Sequence, residues 1–239
     1  MGNYNVDIVA VVPARAGSKR LPGKNLLDLH GKPLIRWTLE AALESQVIDQ
    51  LVVSSDDDAI LAEGKRLGLH TIRRPVYLAS DTATTVDVLI HTLESLAKEE
   101  IRPARLMLLQ PTSPLRKAED IRQAARRMDN TKAESIISVC QCEHSPLWSN
   151  TLGTDGSMGN FLRPEILNQR SQDLPVYYRL NGAIYLAKTE SFLSERGFFM
   201  NDSQAFIMPA ERSIDIDTYL DFKMCEYFYE ALENDGSSF

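Results

Sequence analysis

Ile8, Val9, Ala10, Val11 and Val12 form an unbroken apolar run that stops at Pro13, and a loop of glycines and basic side chains follows. A run this short, bounded by polar residues, predicts a strand buried on both faces, as in a parallel sheet. Parallel strands need crossovers, and the chain supplies them. From Pro33, read as a first helical residue, Leu34, Ile35, Trp37, Leu39, Ala42 and Leu43 make a helical stripe. Residues 51–53 read as the next strand, 57–67 as a helix and 71–72 as a short third strand. Helical spacing returns at Val86, Leu89, Ile90, Leu93 and Leu96, then a strand at 106–109, a helix at 118–128 and a strand at 136–139. This alternation predicts an α/β fold, a doubly wound and mostly parallel sheet with right-handed crossovers. The rhythm breaks between residues 143 and 179, a stretch rich in Pro, Gly, Asn and Gln without a clean period. We read it as an inserted arm that reaches a partner subunit, because its length exceeds an ordinary connection. Strands at 182–187 and 206–208 and a terminal helix at 217–232 complete one domain over residues 1–239.

The formal charge of -7 argues against general nucleic-acid binding. Locally the sign reverses: residues 13–27 carry Arg15, Lys19, Arg20 and Lys24 and no acidic side chain. The natural partner is a compact anion. Residues 1–7 lack a basic stretch followed by an apolar one, and no apolar run approaches the roughly 18 residues that span a bilayer. The expectation is a cytoplasmic protein without a membrane partner. Cys140, Cys142 and Cys225 are odd in number and read as free or buried thiols. His30, His70, His91 and His144 are scattered without metal-ligand spacing.

The basic loop lies at the carboxyl end of the first strand, where open α/β sheets bind ligands. Gly17 and Gly23 let backbone N–H groups approach phosphate oxygens closely, and Arg15, Lys19 and Lys24 add fixed charge, which together suit a triphosphate. It is not a Walker A loop: five residues separate the glycines, and Asn25 follows Lys24. A solvated basic turn is the plainer alternative. Asp215 and Asp217, two apart, fall on one side of an extended segment, where they can hold Mg2+. They can equally cap the helix that follows.

These residues carry a family resemblance. Five blocks, residues 13–25, 79–84, 109–116, 181–185 and 213–217, resemble in order those of the acylneuraminate cytidylyltransferases, the CMP-sialic acid synthetases, which include the legionaminic and pseudaminic acid enzymes. The resemblance implies a nucleotide-diphospho-sugar transferase-like fold. It also implies transfer of CMP from CTP to the anomeric hydroxyl of a nine-carbon acidic sugar, with Mg2+ as cofactor and pyrophosphate as the second product. By resemblance Arg15, Ser18, Lys19 and Lys24 hold the triphosphate and Asn25 the ribose or base. Arg74 and Ser80 line the cytosine pocket. Gln110 meets the sugar, although a turn residue before Pro111 would look the same. Arg170 and Arg179 face the sugar's carboxylate, a task that suits a planar guanidinium. Tyr185, Phe198 and Phe199 match aromatic positions of the sugar pocket, where a plain core role is also open.

Asp215 and Asp217 become metal ligands, Arg15, Lys24 and Asp217 the catalytic set, and Asp217 or Asp215 the base for the anomeric hydroxyl. Thr112, Ser113 and Asp120 stay with turn and helix-start chemistry. The family also implies a homodimer built by the arm. One departure bears on specificity: Trp148 stands where sialic-acid-specific members carry a basic side chain, so legionaminic or pseudaminic acid is a live alternative to N-acetylneuraminate. Two other readings remain open, a cytidylyltransferase for the eight-carbon acid Kdo and a non-catalytic CTP-binding relative.

Overall fold

A computed structural model describes residues 4–234; the outer ends of the 1–239 span, residues 1–3 and 235–239, lie outside the described residues. The chain runs β1 (Val6–Pro13), a short hairpin of β2 (Asp28–Leu29) and β3 (Lys32–Pro33), α1 (Leu34–Ser45), β4 (Gln50–Ser55), α2 (Asp58–Arg66) and β5 (His70–Arg73). It continues through α3 (Thr85–Lys98), β6 (Pro103–Leu108), α4 (Ala118–Asp129), β7 (Ser135–Gln141), β8 (Tyr178–Lys188), α5 (Thr189–Glu195), β9 (Ser203–Ile207) and α6 (Tyr219–Asn234). Seven strands form one sheet in the order β5-β4-β1-β6-β8-β7-β9. All its pairings are parallel except those of β8, which runs antiparallel to β6 and to β7.

The opening apolar run is the middle of this sheet, and its two faces feed two cores. Ile8, Ala10 and Val12 pack with Ile35 and Leu39 of α1 and Ile121 and Ala124 of α4. Val9 and Val11 pack with Leu89, Leu93 and Leu96 of α3 and Phe192 of α5. Each such side chain, fully withdrawn from water, contributes about 1.5–3 kcal/mol. A third cluster seats α6, through Phe222 and Cys225, against Leu29, Leu34, Trp37 and Ile216.

Several boundaries differ from the sequence reading, β9 for instance beginning at Ser203 rather than 206, and three of the differences have a local cause. Pro33 precedes α1 in extended conformation, because it pairs with Asp28 in the hairpin. β8 begins at Tyr178, so the last two residues of the 143–179 stretch belong to the sheet, Tyr178 opposite Gln141 and Arg179 opposite Cys140. Its period was hidden by a shift of register between Ile137 and Val139 and by Gly182 at φ 73, a left-handed residue of the kind that marks a bulge. The terminal helix starts at Tyr219 rather than 217. Its first turn is capped by Thr218 and Asp221: the Asp221 carboxylate accepts from the Thr218 N–H at 2.7 Å, and the Thr218 hydroxyl accepts from the Asp221 N–H at 3.3 Å. Asp217 is therefore free of the capping duty its position permitted.

Between β7 and β8 the chain holds no strand or α-helix, only 3-10 turns at Pro146–Trp148 and Ser171–Asp173. No helix among the described residues is long and apolar enough to cross a membrane.

Candidate active site

β1 lies between β4 and β6, so the chain departs to one side of it and later to the other, leaving a crevice at the carboxyl ends of these strands. The crevice is a cleft of about 500 Å3, lined by Arg15, Lys19, Lys24 and Arg74 together with Gln110 and Asp217. Ser18, Asn25 and Ser80 line it too. The loop after β1 is shaped by Gly23, whose φ of 67 an L side chain would strain, and its Ala16 N–H is anchored by the Asp56 carboxylate at 3.1 Å.

Two carboxylates hold all four cations of this loop. Asp81 binds Arg15 at 3.0 Å through one oxygen and Lys19 at 2.7 Å through the other. The Lys19 hydrogen bond, with a further one from Arg15, outweighs dehydration and holds the Asp81 carboxyl below its ordinary value. Asp217 binds Lys24 at 3.1 Å and Arg20 at 2.6 Å. Lys24 is only 8% exposed, and its ammonium also donates to the Ile216 carbonyl at 2.5 Å. Neither Asp81 nor Arg20 was assigned from sequence, although Asp81 follows Ser80 directly in a recognised block.

The deep end of the cleft is polar and buried. Arg74 donates to the Ser54 carbonyl at 2.7 Å and its Nε has no partner among the described residues. Burial lowers its pKa, Asp56 opposes that, and Arg15 adds to it. Asn25 donates to the Arg15 carbonyl at 3.1 Å while its buried Oδ1 is unpartnered. A guanidinium and an amide oxygen with spare capacity suit the edge of a nucleobase. The Ser80 hydroxyl is turned to its own loop, donating to the Tyr77 carbonyl at 2.8 Å.

Gln110, Gly182 and Asp215 form a second group. A Cβ placed on Gly182 would stand 3.6 Å from both Gln110 Oε1 and Asp215 Oδ2, so the glycine keeps open the space between them. Asn181 ties β7, β8 and the aspartate segment together: its Oδ1 accepts from the Ser138 hydroxyl at 2.6 Å and its Nδ2 donates to the Ser213 hydroxyl at 2.9 Å. Asp215 is exposed at the surface, yet the protein packed around its carboxylate dehydrates it in part. This dehydration first, and then the charge of Asp217, push its pKa up, while the Thr112 hydroxyl and Lys24 pull it down. Tyr185 lies close enough to Asp215 to have its own pKa raised, by burial first and then by that charge.

The remaining sugar candidates are not gathered there. Arg170 is exposed on the 143–179 stretch, and Arg179 is paired with Glu143 at 2.7 Å. Phe198 is buried between Phe192 and Tyr185, a core position beneath the site, whereas Phe199 is exposed.

A small hard cation fits Asp215 and Asp217, since their mutual repulsion is relieved by a shared positive ion and Mg2+ keeps several waters beside one or two carboxylates. Among the described residues no three His, Cys, Asp or Glu side chains converge as a full cage.

The sequence profile described as Cytidylyltransferase matches residues 9–231. A CMP-N,N'-diacetyllegionaminic acid synthase of Legionella pneumophila is 36% identical over 231 residues, covering 93% of this chain and 96% of the relative. An N-acylneuraminate cytidylyltransferase of Streptococcus agalactiae is 34% identical over 216 residues, 90% of this chain but 51% of the relative. Among solved structures, CMP:2-keto-3-deoxy-manno-octonic acid synthetase complexed with CTP superposes with a TM-score of 0.69 at 20% identity, over 94% of this chain and 99% of that one, a likeness of fold. With the cleft at the switch point of the sheet and a family profile matched from the first strand into the last helix, the chain belongs to the cytidylyltransferase family.

Proposed function

We propose that the protein transfers CMP from CTP to the anomeric hydroxyl of a nine-carbon acidic sugar of the legionaminic, pseudaminic or N-acetylneuraminic type. The observation that carries this reading is the cleft, lined by four cations of the first loop together with Gln110 and Asp217, with Gly182 and Asp215 packed beside Gln110. The relatives named for such sugars support the substrate class, and the full-length legionaminic acid relative favours that sugar.

In this mechanism Arg15, Lys19 and Lys24 exchange Asp81 and Asp217 for phosphate oxygens of CTP, and Arg74, Asn25 and Ser80 take the nucleoside. The anomeric oxygen attacks the α-phosphorus, the α–β anhydride bond breaks, and pyrophosphate leaves with the bridging oxygen. The hydroxyl's proton passes to a carboxylate of the aspartate pair, Asp217 or Asp215. Positive charge already fixed on Arg15 and Lys24 stabilises charge that builds on the phosphate oxygens. Asp215 and Asp217 would hold Mg2+, which supplies further charge neutralisation there. For this, Asp217 must give up one of its two ion pairs.

The active unit in this proposal is a cytoplasmic homodimer. Leu180 and Ile207 flank Val139 across three adjacent strands beside the arm, and both are exposed apolar side chains. Arg170 and Arg179 then complete the sugar site of the other copy.

The test is pyrophosphate release from CTP and Mg2+ with legionaminate, pseudaminate, N-acetylneuraminate or Kdo at equal concentration. The expected result is fast release with a nine-carbon acid. Release with Kdo alone would replace the sugar class, and CTP binding without release for any acid would make the protein a non-catalytic relative.

A further inference from the structure

Arg116 ends the block 109–116 and is 1% exposed, the largest side chain buried to that degree among the described residues. No carboxylate lies within ion-pair distance of it among the described residues; the neighbouring Asp120 is engaged by Arg212 at 2.7 Å. Its Nε and Nη2 are buried without a partner. Only Nη1 is used, donating to the Ala183 carbonyl at 2.7 Å and to the Gln110 carbonyl at 3.3 Å. A buried, unpaired guanidinium is costly, and burial lowers its pKa to about 10.

The two carbonyls lie just beyond Leu108 and Tyr185, the pair at which the β6–β8 ladder ends. Gln110 follows β6, and Ala183 follows the left-handed Gly182 of β8. The Gln110 carbonyl also receives the Ser113 N–H at 3.4 Å and the Thr38 hydroxyl at 3.5 Å, so its backbone oxygen is held in the interior while its side chain lines the cleft. Arg116 thus bridges, from below, the residues whose side-chain and backbone geometry shape the space beside Asp215.

We infer that Arg116 is a positioning residue for the acceptor half of the site: its Nη1 bridge sets Gln110 against Gly182 and Asp215, and the phosphate loop does not depend on it. The inference rests on the acceptor reading given above. The experiment compares Arg116→Lys and Arg116→Gln with the unaltered protein in three readouts. These are the CTP dissociation constant by calorimetry, KM and kcat for the acidic sugar by pyrophosphate release, and amide hydrogen exchange over residues 109–113 and 181–185.

The expected outcome is a sugar KM raised at least tenfold in Arg116→Gln with CTP affinity within twofold, and partial rescue in Arg116→Lys. Exchange should be faster in those two segments and unaltered in β1 and β4. A variant whose CTP and sugar constants decline together, or whose constants do not move, would make Arg116 an ordinary core residue and overturn the inference. Should Arg116→Gln fail to fold, Arg116→Lys with an unaltered melting temperature decides between the same outcomes. Should the unaltered protein release no pyrophosphate with any acid, the acceptor reading fails by itself. The exchange pattern then decides the bridge: unaltered exchange at 109–113 and 181–185 overturns it, and faster exchange confined to them upholds it.

Discussion

Asp81 and Asp217 each bridge two cations of the first loop, the cations that the proposed mechanism gives to the phosphate oxygens of CTP. An internal anion that occupies the cations of a binding site competes with the ligand. Asp81→Asn should therefore bind CTP several-fold more tightly in the absence of metal, as measured by calorimetry; weaker binding would mean that Asp81 orders the loop instead of blocking it. Asp217→Asn should instead abolish turnover, because the proposed mechanism gives Asp217 to Mg2+ and its carboxylate also pairs with Lys24; substantial pyrophosphate release would remove it from the catalytic set. The thiols make a separate case. Thiolate is the reactive form, and burial pushes the Cys225 thiol up to about 12, so it stays protonated near neutral pH, and burial likewise raises Cys140. With iodoacetamide at pH 8 the native protein should lose Cys142, which is half-buried, well before Cys140 or Cys225, as read by mass spectrometry of peptides. Residue types were legible from the start: the free thiols, the basic loop and the aspartate pair are all visible as spacing. The partners of Asp81, Arg20 and Arg116 were not, because a charged side chain in a loop has no period to betray what it will meet.

At the scale of elements, caps decide which acidic side chains are free for chemistry. α6 is started by Thr218 and Asp221, and α4 by Asp120, whose carboxylate accepts the Lys117 N–H at 2.9 Å and grips Arg212 through two nitrogens at 2.7 and 3.1 Å. Asp120 is buried, so Asp120→Ala leaves Arg212 and a helix terminus without their partner. The expected cost is about 3 kcal/mol, seen as a melting temperature lowered by roughly 6–12 °C; a shift under about 2 °C would mean that water replaces the carboxylate fully. The strands were legible because two-sided burial leaves an unbroken apolar run, as in β1. β8 was half legible: Gly182 onward reads as a strand, but Tyr178, Arg179 and Leu180 do not, since they lie beyond a register shift and are partly open to solvent. Pro33 misled for a related reason, as its fixed φ suits a first helical residue and a strand end alike.

For the whole molecule, the prediction concerns the stretch between β7 and β8. It carries exposed Leu152, Met158, Leu167 and Val176 with few long-range hydrogen bonds of its own, and it borders the apolar row of Leu180 and Ile207. Light scattering at micromolar concentration should give twice the chain mass of 26.9 kDa, and replacing Leu180 and Ile207 with Lys should give the monomer with CTP binding retained; a monomeric unaltered protein would remove the shared-site proposal. What the sequence by itself determined was the alternation of elements, which follows from hydrophobic period, and the chemistry of the first loop, which follows from glycine and charge. Only the tertiary structure decided which groups meet. Asp81 reaches Arg15 across 66 residues and Asp217 reaches Lys24 across 193, and these meetings depend on the order β5-β4-β1-β6-β8-β7-β9. Strand order arises from how crossovers pack on both faces of the sheet at once, a property of the whole core that no local period encodes.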